Sequence, residues 1–248
     1  MQYPEKLTSD EYVFATLTRL GIPPRSDMPK KCGCGKVLVP GHQHHLHCTW
    51  GGGPTRAHDY LKLTLMYILQ DLGALVHDLD VVNWATNDED GKRLDLSVVL
   101  GDKLFLVDVA RVNCAAPCYA ASDGLAAVSK AAKAKIVHHQ AALHKWNATP
   151  VPFVVNVHGG WGADAVDFLS RIVTLAVSLR PSLDYVDVMN DFVGRIAAAI
   201  QRGNYLAYLL NSQRAFNMAV PICKLRRLSS FWTSSGRRVV VPAKYREN

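Results

Sequence analysis

Apolar positions recur along this 248-residue chain at helical spacing in some segments and in short extended runs in others. Over residues 9–20, Tyr12, Val13, Leu17 and Leu20 fall at helical intervals behind Ser9 or Asp10 as the cap, and Gly21-Ile22-Pro23-Pro24 ends the run. Residues 55–73 predict a second helix with Tyr60, Leu63, Leu65, Tyr67, Ile68 and Leu72 mostly on one side and Gly73 at its end. Residues 75–82 read as a strand. Residues 94–100 and 103–110 read as two more, flanking Gly101-Asp102, a pair suited to a two-residue hairpin loop. A long helix over 122–143 follows, then an apolar strand over 151–157 ended by His158-Gly159-Gly160, and helical patterns over 164–179 and 186–210. Helix, three strands, helix, strand, helix is the order of a mixed α/β sandwich.

One stretch has no period. Residues 28–53 are rich in Gly, Pro, Cys and His, so their order must come from something other than a core. Cys32-Gly33-Cys34 followed by His42, His44, His45, His47 and Cys48 offers two thiols, a spacer and a His/Cys pair, the ligand set of a tetrahedral structural zinc. The expected ligands are Cys32, Cys34, His44 and Cys48, with four histidines competing for the third place; a loop without metal is the alternative. No secretory pattern opens the chain, which favours metal ligation and free thiols over disulfides. No apolar run approaches the roughly 20 residues that span a bilayer. We therefore expect an intracellular, soluble protein with no membrane partner.

The hairpin carries acids. With Gly101-Asp102 as the loop, Leu100 stands opposite Lys103 and Asp95 opposite Asp108, on one sheet face with about 5 Å between Cβ atoms. Two carboxylates there would repel each other, or would hold a divalent cation. Hard oxygen ligands favour Mg²⁺ or Mn²⁺, ions that serve phosphodiester cleavage. Pairing of one aspartate with Arg93 or Arg111 is the plainer alternative. A nuclease of this type places a lysine two residues after the second acid, where this chain has Ala110. On the long helix the stripe Leu125, Val128, Ala132, Ile136 and Leu143 leaves Lys133 and Lys135 on its two borders, either able to lean over the carboxylates, while Lys130 points away. Cys114 and Cys118 read as free thiols, His138, His139 and His144 as surface or half-buried histidines, and His158 as a turn residue.

In sum these segments resemble the restriction-like endonuclease region at the C-terminus of non-LTR retrotransposon reverse transcriptase polyproteins, a PD-(D/E)XK-type fold. Cys32-Gly33-Cys34-Gly35 with His44 four before Cys48 is similar to its CCHC zinc knuckle, and Gly51-Gly52 with Arg56-Ala57-His58-Asp59 to its Gly-Gly and Arg/Lys-His-Asn signature. Arg93-Leu94-Asp95-Leu96 stands where the family has Pro-Asp, Val107-Asp108-Val109 where it has the second acid, and Ala116-Pro117-Cys118-Tyr119 where it has Ala-Pro-Ser-Tyr. Lys135 falls on its displaced catalytic lysine.

The resemblance implies a mixed sheet flanked by helices, preceded by a small zinc knuckle, and a hydrolase that nicks target DNA for insertion. Asp95 and Asp108 would bind catalytic Mg²⁺ or Mn²⁺, with Asp78 or Asp80 as a candidate further acid; Lys135 would orient water or phosphate, and His58 with Arg56 would position the backbone. It also implies a nuclear location, DNA and element RNA as partners, and a reverse transcriptase domain in cis or in trans. A catalytically inactive, zinc-dependent nucleic-acid-binding module is the alternative function. Residues 1–27 would form an N-terminal helix, 28–53 the knuckle, 54–216 the core and 217–248 a tail. Charge bears on that tail, because seven basic side chains against one acid leave the last 25 residues at +6 of the chain's +7. Arg226, Arg227, Arg237 and Arg238, interleaved with Phe231, Trp232 and Tyr245, suit phosphate contacts, as does Lys133; a solvated tail without a ligand is the other reading.

Overall fold

A computed structural model describes residues 6–24, 31–38, 43–79, 94–119, 123–139 and 148–216. Its elements run α1 (Ser9–Arg19), α2 (Gly53–Asp71), β1 (Leu75–Asp78), β2 (Leu96–Leu100), β3 (Lys103–Val112), α3 (Gly124–His138), β4 (Thr149–Asn156), α4 (Ala163–Leu179) and α5 (Tyr185–Phe216). The order matches the one the hydrophobic pattern predicts, with shorter ends: β1 stops at Asp78 and α3 at His138, and residues 80–93 and 140–147 lie outside the described residues.

The four strands form one sheet in sequence order, β1, β2 and β3 antiparallel and β4 parallel to β3. A parallel neighbour requires a crossover, which α3 supplies. Gly101, with φ +59°, opens the hairpin loop, and Leu100 pairs with Lys103 as the loop length requires. Strand alternation then sorts β3. Phe105, Val107 and Val109 enter the main core with Val76, Leu96, Val98, Phe153 and Val155, under α2, α4 and α5. Leu106, Asp108, Ala110 and Val112 face the other way, where Val112 packs with Val154 and with Ala127, Val128 and Ala132 of α3. The molecule is thus a helix–sheet–helix sandwich, mixed α/β as expected. Among the described residues no helix is long and apolar enough to cross a membrane.

Three details correct the sequence reading. Thr8, not Ser9 or Asp10, caps α1: its hydroxyl accepts from the N–H of Glu11, and the Glu11 carboxylate accepts from the N–H of Thr8 at 2.8 Å, a closed capping box. The buried face of α1 is Glu11, Phe14, Ala15 and Thr18, while Tyr12, Val13 and Leu20 are exposed. Glu11 goes inside because the Arg202 guanidinium of α5 donates to it at 3.1 and 3.2 Å and also reaches the Tyr60 hydroxyl and the Lys6 carbonyl. On α3, likewise, Leu125 is exposed and the buried face is Ala127, Val128 and Ala132.

Helix α2 meets α5 at very short range. A Cβ on Gly53 would lie 2.8 Å from Ala207 Cα, and one on Gly203 would lie 3.1 Å from Ala57 Cβ. Gly52, at φ +69°, turns the chain into that helix from the knuckle. The glycines thus let two backbones touch where larger side chains would hold them apart.

Candidate metal centre and candidate active site

Residues 31–38 and 43–52 fold into a small unit against the C-terminal half of α5. Lys31 bridges Val37, Cys32 donates its N–H to the Lys36 carbonyl at 2.8 Å, and Gly35 turns the chain at φ +88°. This tight reversal brings Cys32 and Cys34 to one side. A short 3₁₀ turn, His44–Leu46, leads on to Cys48, whose N–H donates to the His44 carbonyl. Cys32 Sγ and Cys48 Sγ stand 3.6 Å apart, Cys34 Sγ and His44 Nε2 3.2 Å apart, and all four ligand atoms lie within 4.8 Å of one another. Sulfurs bound to zinc at tetrahedral angles with 2.3 Å bonds sit about 3.8 Å apart, so the cluster can hold a metal ion such as zinc. Burial pushes the Cys48 thiol up to about 12, and a metal that takes it must displace its proton.

The geometry also decides between the histidines. His44 joins the cysteines. His45 is a core residue, its ring edge-on to Phe14 and Tyr208, and burial depresses its pKa to about 3. His47 Nδ1 accepts from the Asn113 amide at 2.9 Å, and His42 lies outside the described residues. Two further contacts fix the unit. The Trp50 ring covers Gly33, where an added Cβ would come within 2.2 Å of it, and Asn211 of α5 donates to the carbonyls of His45 and Cys48.

The acids divide. Asp95 comes just before β2 and breaks its register: its N–H donates to Val107, the residue already paired with Leu96. Its carboxylate Oδ2 accepts from the N–H of Val109 at 2.7 Å, while His58 Nε2 donates to the Val109 carbonyl at 3.0 Å. Aspartate and imidazole together occupy the hydrogen-bonding edge that β2 would have covered had it continued. His58 also lies 3.3 Å from Asp95 Oδ2 and 3.3 Å from Asp59 Oδ1. Burial works against its charge, but Asp59 and Asp95 outweigh burial and raise its pKa to about 10. At neutral pH His58 is therefore a cation that holds Asp95 and the end of the sheet, not a proton acceptor.

A stability consequence follows with a definite sign. His58 has a folded pKa raised above the ordinary 6.5, so its contribution is complete below pH 6.5 and is lost as the pH climbs toward 10. Denaturant unfolding of the parent at pH 6.5 and pH 9 is expected to lose about 3 kcal/mol more than unfolding of His58→Gln over the same interval. Equal losses in the two proteins would show that His58 is not charged in the folded state.

Asp108, on the α3 side of the sheet, has different partners. Lys135 Nζ donates to Oδ1 at 2.9 Å, and His139 Nε2 lies 2.8 Å from Oδ2. Asp108 and His139 are buried, and Lys135 is about one-third exposed. Burial works to raise the Asp108 pKa, but His139 and Lys135 outweigh it and hold the carboxyl below its usual range. Leu94, Leu106, Ile136, Pro150 and Pro152 rim a shallow depression beside these groups, with room for about one water-sized guest.

No family model and no curated protein matches the chain. Its chemistry therefore rests on residue placement. Lys135 reaches Asp108, whereas Lys133 is exposed and Lys130 lies over the Tyr119 ring and donates to the Cys118 carbonyl. Arg56 is exposed in the first turn of α2. Asp78 accepts from Lys62, an ammonium buried on the same face of α2 as His58, at 3.1 Å. Asp80, Arg226, Arg227, Arg237 and Arg238 lie outside the described residues. His139 is the functional candidate that sequence reasoning placed among ordinary histidines. Its position just past the lysine on the crossover helix was the one available signal.

Proposed function

We propose that the chain is a metal-dependent DNA endonuclease, the restriction-like endonuclease module of a non-LTR retrotransposon with its zinc knuckle. The observation that carries this is the contact of Lys135 with Asp108, since a lysine displaced from the strand onto the crossover helix still meets the second acid. An antiparallel three-stranded unit, a crossover helix and a parallel fourth strand, with a Cys/Cys/His/Cys cluster ahead of them, support the same reading. Asp108 would hold the cation, with Oδ2 buried and without a hydrogen bond. A divalent ion there would polarise the phosphate and help generate the attacking nucleophile. Lys135 would leave Oδ1 for a phosphate oxygen, and His58 would keep Asp95 and the strand end fixed.

The second reading, an inactive nucleic-acid-binding module, is favoured by one feature. Asp95 spends its Oδ2 on the Val109 N–H and His58, which leaves less of it for a metal than the register alone implies.

Supercoiled plasmid incubated with the zinc-loaded protein and Mg²⁺ or Mn²⁺ at low salt separates the two. Conversion to open circles that EDTA stops, and that Lys135→Ala slows at least tenfold, is the expected result. Salt-sensitive binding of intact plasmid with no nicking under either metal would put the binding module in its place.

A further inference from the structure

His139 is held where it is by the end of α3. Its N–H donates to the carbonyls of Lys135 and Ile136, which closes the helix and turns the ring inward against the sheet. There Nε2 comes within 2.8 Å of Asp108 Oδ2, both groups being about 5% exposed. The contact is short, yet the ring N–H does not point along it: Oδ2 is a buried carboxylate oxygen without a hydrogen-bond partner. A buried acceptor left in that condition is costly. Two donor atoms side by side, with no hydrogen bond joining them, are what neighbouring vertices of a coordination shell look like. Metal–ligand bonds of about 2.1 Å at a right angle put the donor atoms about 3 Å apart. The other oxygen, Oδ1, is taken by Lys135, so a cation at Oδ2 would not have to displace the ammonium. Asp108 and His139 both line the depression, which has room for about one water-sized guest.

We infer that His139 Nε2 and Asp108 Oδ2 are adjacent ligands of one divalent cation, and that the imidazole makes this a site for a first-row transition ion in preference to Mg²⁺. The inference rests on the reading of Asp108 as a metal-binding residue and names what that site takes. Mg²⁺ demands oxygen ligands and dehydrates reluctantly, whereas imidazole nitrogen is a good ligand for the transition series. Mn²⁺ is the appropriate probe because it is paramagnetic and the least tightly bound member of that series, so a preference seen with it is a lower bound.

The experiment uses the full chain with its knuckle loaded with zinc. Free Mn²⁺ is followed by electron paramagnetic resonance during titration, and the bound ion by electron spin echo modulation, which detects a directly coordinated ¹⁴N. The parent is expected to bind one Mn²⁺ with a ¹⁴N coupling. His139→Gln should lose the coupling and weaken Mn²⁺ at least tenfold while changing Mg²⁺ competition less than threefold, and Asp108→Asn should lose the bound ion. Bound Mn²⁺ without a ¹⁴N coupling in the parent, or no bound Mn²⁺, overturns the inference, and neither result depends on a variant that folds. Plasmid nicking run in parallel keeps the two claims separate. A ¹⁴N coupling without nicking leaves the metal site standing and removes the nuclease, while nicking without the coupling does the reverse.

Discussion

Asp108→Asn is expected to abolish plasmid nicking by at least a thousandfold while leaving far-ultraviolet circular dichroism unchanged. The size follows from what the carboxylate does in the proposed reaction: charge stabilisation by a bound cation is worth several kcal/mol, and about 4 kcal/mol of barrier is a factor of about a thousand. The amide keeps the shape of the side chain, so the β3–α3 packing of Ala110, Val112, Val128 and Ala132 is retained. It removes the negative charge from between Lys135 and His139. Lys135 is partly exposed and can extend into water, so the stability loss should fall below the 3–5 kcal/mol typical of breaking a fully buried ion pair. Residual EDTA-sensitive nicking near the parental rate in Asp108→Asn would place the metal elsewhere and end this assignment.

Removal of the knuckle metal is the second large effect. Zinc is expected at one equivalent per chain, and a chelator should lower the thermal midpoint by ten degrees or more and split one transition into two. Structural zinc sites carry apparent binding energies on the order of 10 kcal/mol or more, all of which is folding free energy for the segment that holds the metal. The segment here is not isolated. Leu46 packs with Phe14, Val157 and Tyr208, and the His45 ring meets Phe14 and Tyr208 edge-on, so a released knuckle also uncovers α1 and the end of α5. The main core around Leu65, Val107, Phe153 and Phe168 contains no residue of the knuckle and should melt later. Trp50, whose ring lies on Gly33, gives an independent readout: chelation should shift tryptophan emission, and Trp50→Phe should remove that shift. Cys48→Ser, which deletes a buried ligand, should reproduce the effect without chelator. An unchanged midpoint after complete zinc removal would show that the cluster is no structural site.

Elements set by local pattern were legible in the sequence, and those set by distant partners were not. The spacing of Cys32, Cys34 and Cys48 is enough to foresee a metal cluster, and a two-residue loop at Gly101-Asp102 fixes the β2–β3 register by arithmetic. His44 was the expected third ligand and stands with the cysteines, while Phe14 and Tyr208, from α1 and α5, account for His45 as a core residue. The buried face of α1 was misread because a glutamate counts as polar until its partner, Arg202, is placed 191 residues away. Asp95 was expected to face Asp108 through strict alternation, but the free N–H of Val109 beyond the end of β2 draws its carboxylate aside. Nothing in a strand pattern announces an unfilled donor. His139 was read as a surface or half-buried histidine for the opposite reason: at the end of a helix with short alanine packing, periodicity gives no direction for the ring, and the crossover geometry brings it to Asp108.

The close passage of Gly51 and Gly53 against Asn211 and Ala207 has an architectural consequence. Asn211 serves the knuckle's carbonyls, Gly52 is both the last turn of that unit and the entry to α2, and α2 carries His58 and Lys62 to the acids at the strand ends. The small unit is therefore no detachable cassette. Excising or swapping residues 31–52 would remove the footing of the helix that sets the far end of the sheet, and a graft from another protein would have to reproduce that glycine seam before its cysteines mattered.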